Sequence, residues 1–463
     1  MTITKKSFLI LTVDFIVLVF MVYLKDMLQP NTDSIRCIAC ISLILLLLHL
    51  IQTKCLGIPI ISVTSVFIIL SHVFNLGYYY LKLFEKEDFF LFGDWFKYDL
   101  DTKVNSGMFS IIAVHCVVMG IVIAQDWNMQ KSVYTTYEMD ESNEAEIIAI
   151  RNVGIVLLFI TLPCRLYWDY LMIRQSFISG GYVGGVESSG LVGDIQTLFV
   201  PAFLCYLYSL KNKKSFKLWV FSYVGICIVV MMLSGSRRYY VTGIIIIAIF
   251  YLKEYKANKK KNFFKYLLIA YGGIILLNLM TYIRNSRLAS SNDAFSISLL
   301  FSLDFLWETF SEFGITGNVS YYACKYFPSL SKFLFGQTYL GAIVYILPIG
   351  WLISLKASVG SIIYALSHNA VGGSYIGDLF ANWGWFSIPF AILTGLLIGS
   401  ICNEVDERSD IKSVVLKYAV GYFVINYVRS STLEILRGSV YTIILITVLY
   451  KFVFLHKNNI EGD

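Results

Sequence analysis

Long apolar runs separated by short polar segments recur along the whole chain. Each run has about the 20 apolar residues that a helix needs to cross a bilayer core of about 30 Å. Because the bilayer core has no water to hydrogen-bond the backbone, each crossing is expected to be helical. The predicted spans are roughly 7–24, 35–52, 58–79, 105–124, 150–170, 192–210, 217–234, 238–252, 266–283, 385–403, 414–429 and 439–455.

The composition supports this interpretation. The chain is 57% hydrophobic and 15% charged, whereas soluble domains average about a quarter charged residues. The N-terminal stretch "MTITKKSFLILTVDFIVLVFMVYL" has a basic start, but its apolar run is long for a signal peptide and lacks an A-x-A exit, so it is expected to be the first span. We therefore predict an all-α polytopic membrane protein with about 12 transmembrane helices, in which residues 1–463 form one integral membrane domain.

Lysine-rich loops predict the orientation. "MTITKK", "LKNKKSFK" (210–217) and "KEYKANKKKNFFK" (253–265) fall on one side of the predicted spans. The positive-inside rule makes that side cytoplasmic, and the even number of spans places the C-terminus there as well. Topology accounts for these basic loops, so nucleic-acid binding is not expected.

The opposite face is predicted to carry one large extracytoplasmic loop, 284–384, containing amphipathic or re-entrant helices. Within it, "YLGAIVYILPIGWLISLK" (339–356) is apolar enough to be a thirteenth crossing. We favour a re-entrant or interfacial segment, because Pro348 and Gly350 interrupt the run.

Arginines collect at the outer ends of the spans, whereas the cytoplasmic loops mostly use lysine. Arg237 and Arg238 are adjacent in the tight turn "GSRR". The planar guanidinium of arginine holds several N–H donors in fixed positions and can bind two phosphate oxygens at once. The outer arginines therefore favour a binding site for a lipid-linked diphosphate. The alternative is that these side chains reach to lipid headgroups. The other outer arginines are Arg165, Arg174, Arg284, Arg287, Arg429 and Arg437.

The stretch "LSHNAVGGSYIGDLFANWGWFSIPF" (366–390) is a second candidate for chemistry. His368 is the one histidine predicted in an outer loop, where it is a candidate general base. Asp378 is a second candidate base, a group that orients the histidine, or a helix cap. Three other histidines, His49, His72 and His115, fall within or near spans and are expected to be packed core residues.

The segment "DFLWETFSEFGITGNVSYYACKYFPSLSKF" (304–333) combines aromatic and acidic side chains. Trp307 and Glu308 are candidates for glycan contacts, and an amphipathic helix lying on the membrane is an equal alternative. The nine cysteines fall mostly in apolar runs. Cys37 and Cys40 form a C-x-x-C, which we interpret as small buried hydrophobes. No motif with metal-ligand spacing occurs.

Three of these stretches together resemble a known family. The "GSRR" turn, "FPSLSKFLFGQTYLGAIVYILPIGWL" and "GGSYIGDLFANWGWFSIPFAILTGLLIG" are similar to elements of Wzy, the bacterial O-antigen and capsule repeat-unit polymerases. The family's acidic position is usually Glu, so Asp378 departs from the pattern with a shorter reach. "SHN" (367–369) is also similar to the His-Asn element of the related O-antigen ligases.

The resemblance implies a metal-independent, cofactor-free glycosyltransferase of the bacterial inner membrane with a GT-C-like multi-helix fold. It would transfer a growing glycan from undecaprenyl diphosphate to a hydroxyl of the next undecaprenyl-diphosphate-linked oligosaccharide on the periplasmic face. Its partners would be that lipid-linked substrate, membrane lipid and a chain-length-determining co-polymerase. The catalytic candidates are His368, Asp378 and Arg237, and the substrate-binding candidates are Arg238, Arg284, Arg287, Arg165, Arg437, Glu308 and Trp307.

Other readings remain open. An O-antigen ligase would use the same donor chemistry with a lipid A core as acceptor. A flippase would also be polytopic and arginine-bearing, but paired repeated halves and a charged midplane cavity are expected of it. A membrane acyltransferase would also use a histidine. The charges at one face and the single long outer loop favour the polymerase.

Overall fold

The computed structural model of the chain describes residues 4–90, 98–134, 143–179, 190–235, 238–255, 304–347, 357–368, 371–402 and 410–460, together with residues 271, 275 and 355. Every regular element in these ranges is helical. The helices are α1 Lys5–Met27, α2 Thr32–Cys55, α3 Val63–Leu83, α4 Leu100–Tyr134, α5 Asn143–Ser179, α6 Gly190–Thr197, α7 Phe199–Tyr208, α8 Ser215–Ser234, α9 Arg238–Phe250, α10 Asp304–Gly314, α11 Gly317–Tyr326, α12 Gln337–Val344, α13 Val359–Ser367, α14 Tyr375–Trp383, α15 Ile388–Ile401, α16 Ile411–Tyr427 and α17 Thr432–Ile460.

Short polar residues determine where the first three helices begin. Thr4, Asn31 and Ser62 precede α1, α2 and α3, and each side chain accepts a hydrogen bond from the backbone N–H three residues later. These caps satisfy donors that a helix leaves unpaired at its first turn. The polar interruptions between apolar runs therefore act as helix-start signals.

Within the described ranges, nine helical stretches are long and apolar enough to cross a membrane. They are Lys5–Met27, Thr32–Cys55, Val63–Leu83, Leu100–Asn128, Glu144–Ile178, Gly190–Tyr208, Ser215–Ser234, Tyr375–Ile401 and Thr432–Val453. Nine of the predicted spans are thereby matched. The predicted spans 238–252 and 414–429 correspond to α9 and α16, with 13 and 17 residues, and 266–283 lies outside the described residues. The total of about 12 spans stays a prediction.

The chain divides into two compact units, each assembled from separate segments. Unit 1 consists of Met1–Glu138, Trp307–Ser409 and Phe423–Val440. Unit 2 consists of Met139–Leu306, Asp410–Tyr422 and Tyr441–Asp463. Segments distant in sequence therefore build each core.

Helix α4 lies at the centre of unit 1. Nearly all its residues between 103 and 126 are buried, and α1, α2, α3, α11, α14 and α15 pack against it. Helix α1, in contrast, exposes large apolar side chains such as Phe8, Phe15 and Phe20. An apolar surface on a span-length helix is suited to contact with lipid chains.

Helices from the predicted outer loop pack against α3 and α4. The Phe313 ring of α10 stacks on Phe74 of α3, with centroids 4.4 Å apart. Ser374, just before α14, donates a hydrogen bond to the Asn75 side chain at 3.0 Å. Residues 339–347 and 355 of the apolar run 339–356 are described. Of these, 339–344 belong to α12, an eight-residue helix too short to cross a bilayer by itself.

Unit 2 is built around α5, against which α6, α7 and α8 pack. Phe159, in the middle of α5, is 83% exposed, which marks a lipid-facing side of this helix. At the end of α9, the Phe250 ring meets Tyr418 of α16 edge-on, with centroids 5.1 Å apart. The Tyr418 hydroxyl donates a hydrogen bond to Glu254 at 2.8 Å.

Candidate functional site

A buried ion pair occupies the inward side of α5. Arg165 and Asp169 are one helical turn apart, and the Arg165 Nε lies 2.9 Å from Asp169 Oδ1. Both side chains are buried, with exposures of 7% and 12%. A guanidinium in such surroundings is held by its partners, because an unpaired charge there would be costly.

Two further side chains complete this pair, and we call the four residues the Arg165 cluster. The Tyr240 hydroxyl of α9 donates to Asp169 Oδ1 at 2.6 Å, and the Arg165 guanidinium lies 4.5 Å from the centroid of the Tyr240 ring. Arg165 Nη1 donates to Gln196 Oε1 at 3.3 Å. The cluster therefore ties the first turn of α9 to α5 and α6.

The sequence "GSRR", residues 235–238, directly precedes the part of α9 that contacts Arg165 and Asp169. Gly235 ends α8 in the left-handed conformation at φ 70°, which glycine adopts without strain. Arg238 is the first residue of α9, two positions before Tyr240. Because Tyr240 contacts both Arg165 and Asp169, the first turn of α9 packs beside the interior of α5 and not beside its end. Arg237, Arg284 and Arg287 lie outside the described residues.

In unit 1, Asp378 is fully buried on α14. Its Oδ2 accepts hydrogen bonds from the hydroxyl and the backbone N–H of Thr432, at 2.8 and 3.3 Å. The carboxylate also accepts from the backbone N–H of Val359. Since Thr432 and Val359 are the first residues of α17 and α13, this one carboxylate satisfies donors at two helix starts, where an anion is favoured.

The neighbouring Asn382 holds the same region together. One turn after Asp378, its amide nitrogen donates to Thr338 Oγ1 at 2.7 Å, and its amide oxygen accepts from the backbone N–H of Gly336 at 2.9 Å. The polar residues of "GDLFANWG" are therefore packed against partner groups in the interior of unit 1.

His368 lies at the other end of α13. It closes that helix with φ 56°, an unusual backbone conformation for a side chain other than glycine, asparagine or aspartate. Its imidazole is exposed and meets the Tyr364 ring edge-on, with centroids 6.3 Å apart. Nine residues of helix separate Val359 from His368, about 13 Å along the axis, so the carboxylate that binds Val359 does not also bind this imidazole.

The predicted glycan-contacting segment forms α10 and α11. Trp307 is half-buried, with its ring centroid 5.3 Å from that of Phe84 and Lys86 Nζ 5.8 Å from its ring centroid. Glu308 is also half-buried. Tyr321 is buried against Tyr98, with centroids 4.2 Å apart. In α17, Arg437 is half-buried.

Sequence reasoning missed three of the residues that build these arrangements. Asp169 carries a signal that would have found it, because an aspartate four residues after an arginine lies next to it on the same face of a helix. Tyr240 and Thr432 carry no comparable signal, since each meets its partner across a distance of 54 or 71 residues in the chain.

In the part of the chain that the structure describes, the fold is all-helical, as in a multi-pass membrane protein, and charged side chains are buried between its helices. The family model described as O-antigen polysaccharide polymerase Wzy matches residues 7–459, nearly the whole chain, and the chain belongs to this family. The resemblance seen in the sequence is confirmed. Membership supports a glycosyltransferase-type polymerase of O-antigen repeat units that acts on lipid-linked oligosaccharides. No curated protein and no solved structure matches the chain.

Proposed function

We propose that the protein lengthens a surface glycan at the periplasmic face of the inner membrane. It transfers the growing chain from undecaprenyl diphosphate to a hydroxyl of the next undecaprenyl-diphosphate-linked unit. The observation that carries this assignment is the Arg165 cluster, which anchors the first turn of α9 through the 2.6 Å hydrogen bond from Tyr240 to Asp169. In the sequence, two adjacent permanent cations, Arg237 and Arg238, directly precede Tyr240's turn of the helix.

The reaction explains why such cations are needed. The bond between the sugar's anomeric carbon and the diphosphate oxygen breaks, its electron pair stays on the diphosphate, and the acceptor oxygen bonds to the sugar. Negative charge therefore grows on the leaving group. Preorganised donors aimed at that charge contribute on the order of 3 kcal/mol each to lowering the barrier.

We assign different parts to the arginines. Arg237 and Arg238 would contact the diphosphate, joined by Arg284 and Arg287 from the end of the following predicted span. Arg165 would act as a positioning residue, because its guanidinium already binds Asp169 and Gln196. Arg437 is a further candidate contact with the substrate.

The acceptor hydroxyl is a poor nucleophile and gains from a base placed beside it. His368 suits this part because its imidazole is exposed. Asp378 would support the site by holding the starts of α13 and α17. Trp307 and Glu308 would contact the glycan. The chemistry needs no metal in this scheme, and undiminished turnover by purified protein in EDTA would support that expectation.

The central test is the size ladder of surface polysaccharide made by Arg237→Ala and Arg238→Ala variants in cells lacking the native protein. Long chains should disappear while single-repeat products persist and the protein stays in the membrane. Lysine at either position keeps the positive charge but loses the planar set of N–H donors. Arg237→Lys and Arg238→Lys should therefore give a ladder intermediate between those of the unsubstituted protein and the alanine variants. Arg151→Ala, an exposed arginine of α5, is the matched control and should give a normal ladder.

Each other outcome has a meaning. If Arg237→Ala, Arg238→Ala and Arg284→Ala all give a normal ladder, the arginines do not form the proposed diphosphate-binding site. Loss of all surface glycan, including single repeats, would indicate a flippase. Long chains that form but stay on the polyprenyl carrier would indicate a ligase. A co-polymerase partner would show itself as a changed length distribution when that partner is deleted.

The orientation has its own test. A His368→Cys variant, in a background without the exposed Cys40 and Cys55, should react with a membrane-impermeant maleimide added outside intact spheroplasts. Labelling only after the membrane is opened would place His368 in the cytoplasm and overturn the proposed site.

A further inference from the structure

Three histidines from three helices of unit 1 form a continuous hydrogen-bonded chain. They are His49 of α2, His72 of α3 and His115 of α4, and all are fully buried. His72 Nε2 lies 3.3 Å from His49 Nδ1, and His49 Nε2 lies 2.9 Å from His115 Nδ1. The expectation that each is a packed core residue is confirmed, and their mutual bonding is new.

The chain extends at both ends. Ser42 Oγ lies 2.8 Å from His72 Nδ1, and the Tyr80 hydroxyl lies 2.7 Å from Ser42 Oγ. At the other end, His115 Nε2 lies 2.9 Å from the backbone carbonyl oxygen of Asp14. Five hydrogen bonds thus link a tyrosine near the end of α3 to the middle of α1.

The terminal carbonyl fixes the direction of the neutral chain. A carbonyl oxygen only accepts, so His115 donates to it through Nε2 and accepts at Nδ1. His49 and then His72 must follow the same pattern, each with its proton on Nε2. Ser42 therefore donates to His72 and accepts from Tyr80. Every proton position in the chain follows from this one acceptor.

Asp14 brings a negative charge to the same end. Its Oδ1 accepts from Gln52 at 2.6 Å, and its Oδ2 is buried without a hydrogen-bond partner among the described residues. Every lysine and arginine of α1 to α4 lies within five residues of a helix end, far from this mid-helix position. A carboxylate buried without a cation is strongly unfavourable, so a proton must balance it.

We propose that Asp14, His49, His72 and His115 form one proton-binding site inside unit 1, loaded from the Tyr80 end through Ser42. The ligand is a single proton, held on the carboxylate or as an imidazolium beside it. This site is separate from the polymerase chemistry proposed above, and neither depends on the other.

The steps follow the bonds already present. A proton that reaches the buried Tyr80 hydroxyl displaces the tyrosine's own proton onto Ser42, which gives its proton to His72 Nδ1. His72 passes its Nε2 proton to His49 Nδ1, and His49 passes its Nε2 proton to His115 Nδ1. The charge ends on His115, beside Asp14. The four hydrogen bonds between side chains are reversed, the bond from His115 Nε2 to the Asp14 carbonyl oxygen is kept as it is, and no ring has to turn.

The described side chains around the three histidines can hold one bound proton and are not arranged to bind a metal ion. The titratable side chains that the packed helices bring here are Asp14 from α1, His49 from α2, His72 and Tyr80 from α3, and His115 and Cys116 from α4. Helix α10 contributes the Phe310 ring against Tyr80. The two nitrogens of His49 face different neighbours, so the three imidazoles do not converge on one point. Within the described residues, no group of three or more His, Cys, Asp or Glu side chains is arranged to hold a metal ion.

The test uses the full chain in lipid nanodiscs, with ¹⁵N-labelled histidine rings read by NMR and carboxylic acids read by infrared spectroscopy. The bound proton should appear at neutral pH as one imidazolium among the three rings or as a protonated carboxyl that Asp14→Asn removes. Signals are assigned by His→Gln variants, with His456→Gln as the control that leaves these three unchanged. Three neutral rings together with an ionised Asp14 in the unsubstituted protein would overturn the proposal. Because these spectra are recorded on the unsubstituted protein, the result does not depend on whether any variant folds.

The loading path is tested by rate. After a pH jump, Ser42→Ala should reach the same final occupancy as the unsubstituted protein but more slowly, because the link from Tyr80 to His72 is cut. Ser110→Ala is the matched control, a buried serine whose hydroxyl donates to its own helix at Ser106 O, 2.7 Å away. Equal loading rates in the two variants would show that the proton enters by another path.

Discussion

The Asp378 carboxylate binds Thr432 twice, accepting from its hydroxyl at 2.8 Å and from its backbone N–H at 3.3 Å. The two residues are 54 positions apart in the chain. Thr432 begins α17, where the Ser431 hydroxyl oxygen accepts from the backbone N–H of Glu434 at 3.4 Å. A side chain from α14 therefore adds a second acceptor at this helix start, which joins two elements of unit 1 at a buried point.

We expect Thr432→Val to lower the free energy of unfolding by about 1.5–3 kcal/mol, because a buried carboxylate loses a hydrogen bond from a neutral donor. Equilibrium unfolding of the purified protein in detergent measures this loss. Thr394→Val is the matched control, since the Thr394 hydroxyl donates to its own helix at Phe390 O. Combined with Asp378→Asn, the two losses should be non-additive by about 0.5–3 kcal/mol. Additive losses would mean that the two side chains act independently.

Tyr240→Phe should weaken the Arg165 cluster while keeping the aromatic ring. The variant loses the hydroxyl that donates to Asp169 at 2.6 Å, a change of about 1.5–3 kcal/mol for a hydrogen bond to a charged group. If the cluster positions the arginine turn, long-chain glycan should decrease along with stability. Tyr206→Phe is the control, because Tyr206 packs through its ring on Trp219. A stable Tyr240→Phe protein with full activity would contradict the positioning role.

Spans that are mostly apolar and bounded by clear stop signals were predictable to within a few residues. The run predicted at 217–234 forms α8 at Ser215–Ser234, because it is apolar from Leu218 to Leu233 apart from Ser222 and is followed by Gly235. The span predicted from 385 instead belongs to a helical stretch that begins at Tyr375. Asp378 and Asn382 made the intervening residues look like a loop. Their burial depends on Thr432 and Thr338, which are more than 40 residues away and cannot be paired with them from one sequence.

The candidate site was predictable in composition but less so in arrangement. From the sequence alone, all the outer arginines were candidates to bind the diphosphate in the same way. In the structure, Arg165 is already paired with Asp169 of its own helix. The pairing was visible as the spacing of Arg165 and Asp169. The histidine chain was not visible, because His49, His72 and His115 each look like an isolated polar residue until three helices bring them together.

Stability should depend on pH through Asp99, which caps α4. Its side chain accepts from the hydroxyl of Thr102 and from the backbone N–H groups of Thr102 and Asp101. These bonds, the Thr102 hydroxyl first, lower the pKa of the Asp99 carboxyl below its ordinary value. A lowered pKa in the folded state means that the stabilisation is complete above the ordinary aspartate pKa and is lost as the pH falls through the folded-state pKa.

The measurement is the thermal midpoint of unfolding from neutral to acidic pH. Asp99→Asn should flatten the acidic decline, because asparagine caps a helix without titrating. Asp99→Ala should cost about 1 kcal/mol at neutral pH. Asp88→Asn, which removes an exposed charge nearby, should leave the profile of the unsubstituted protein intact. An unchanged acidic decline in Asp99→Asn would assign it to other carboxyls.

The packing of α4 against α15 depends on two glycines that let the backbones touch. A Cβ added at Gly395 would lie 1.9 Å from Val117 O, and one added at Gly120 would lie 2.0 Å from Ile392 O. Neither contact is possible, so Gly395→Ala must push the helices apart and should cost about 1–3 kcal/mol or more. Gly225→Ala in α8 is the matched control, since no other described atom lies within 4 Å of its added Cβ, and it should be neutral or stabilising by up to about 1 kcal/mol.

Once one substitution has separated the helices, the second should cost less, so Gly120→Ala combined with Gly395→Ala should destabilise by less than the sum of the two. Unfolding in detergent checks all four variants, and equal effects at Gly225 and Gly395 would show that this close approach does not stabilise unit 1.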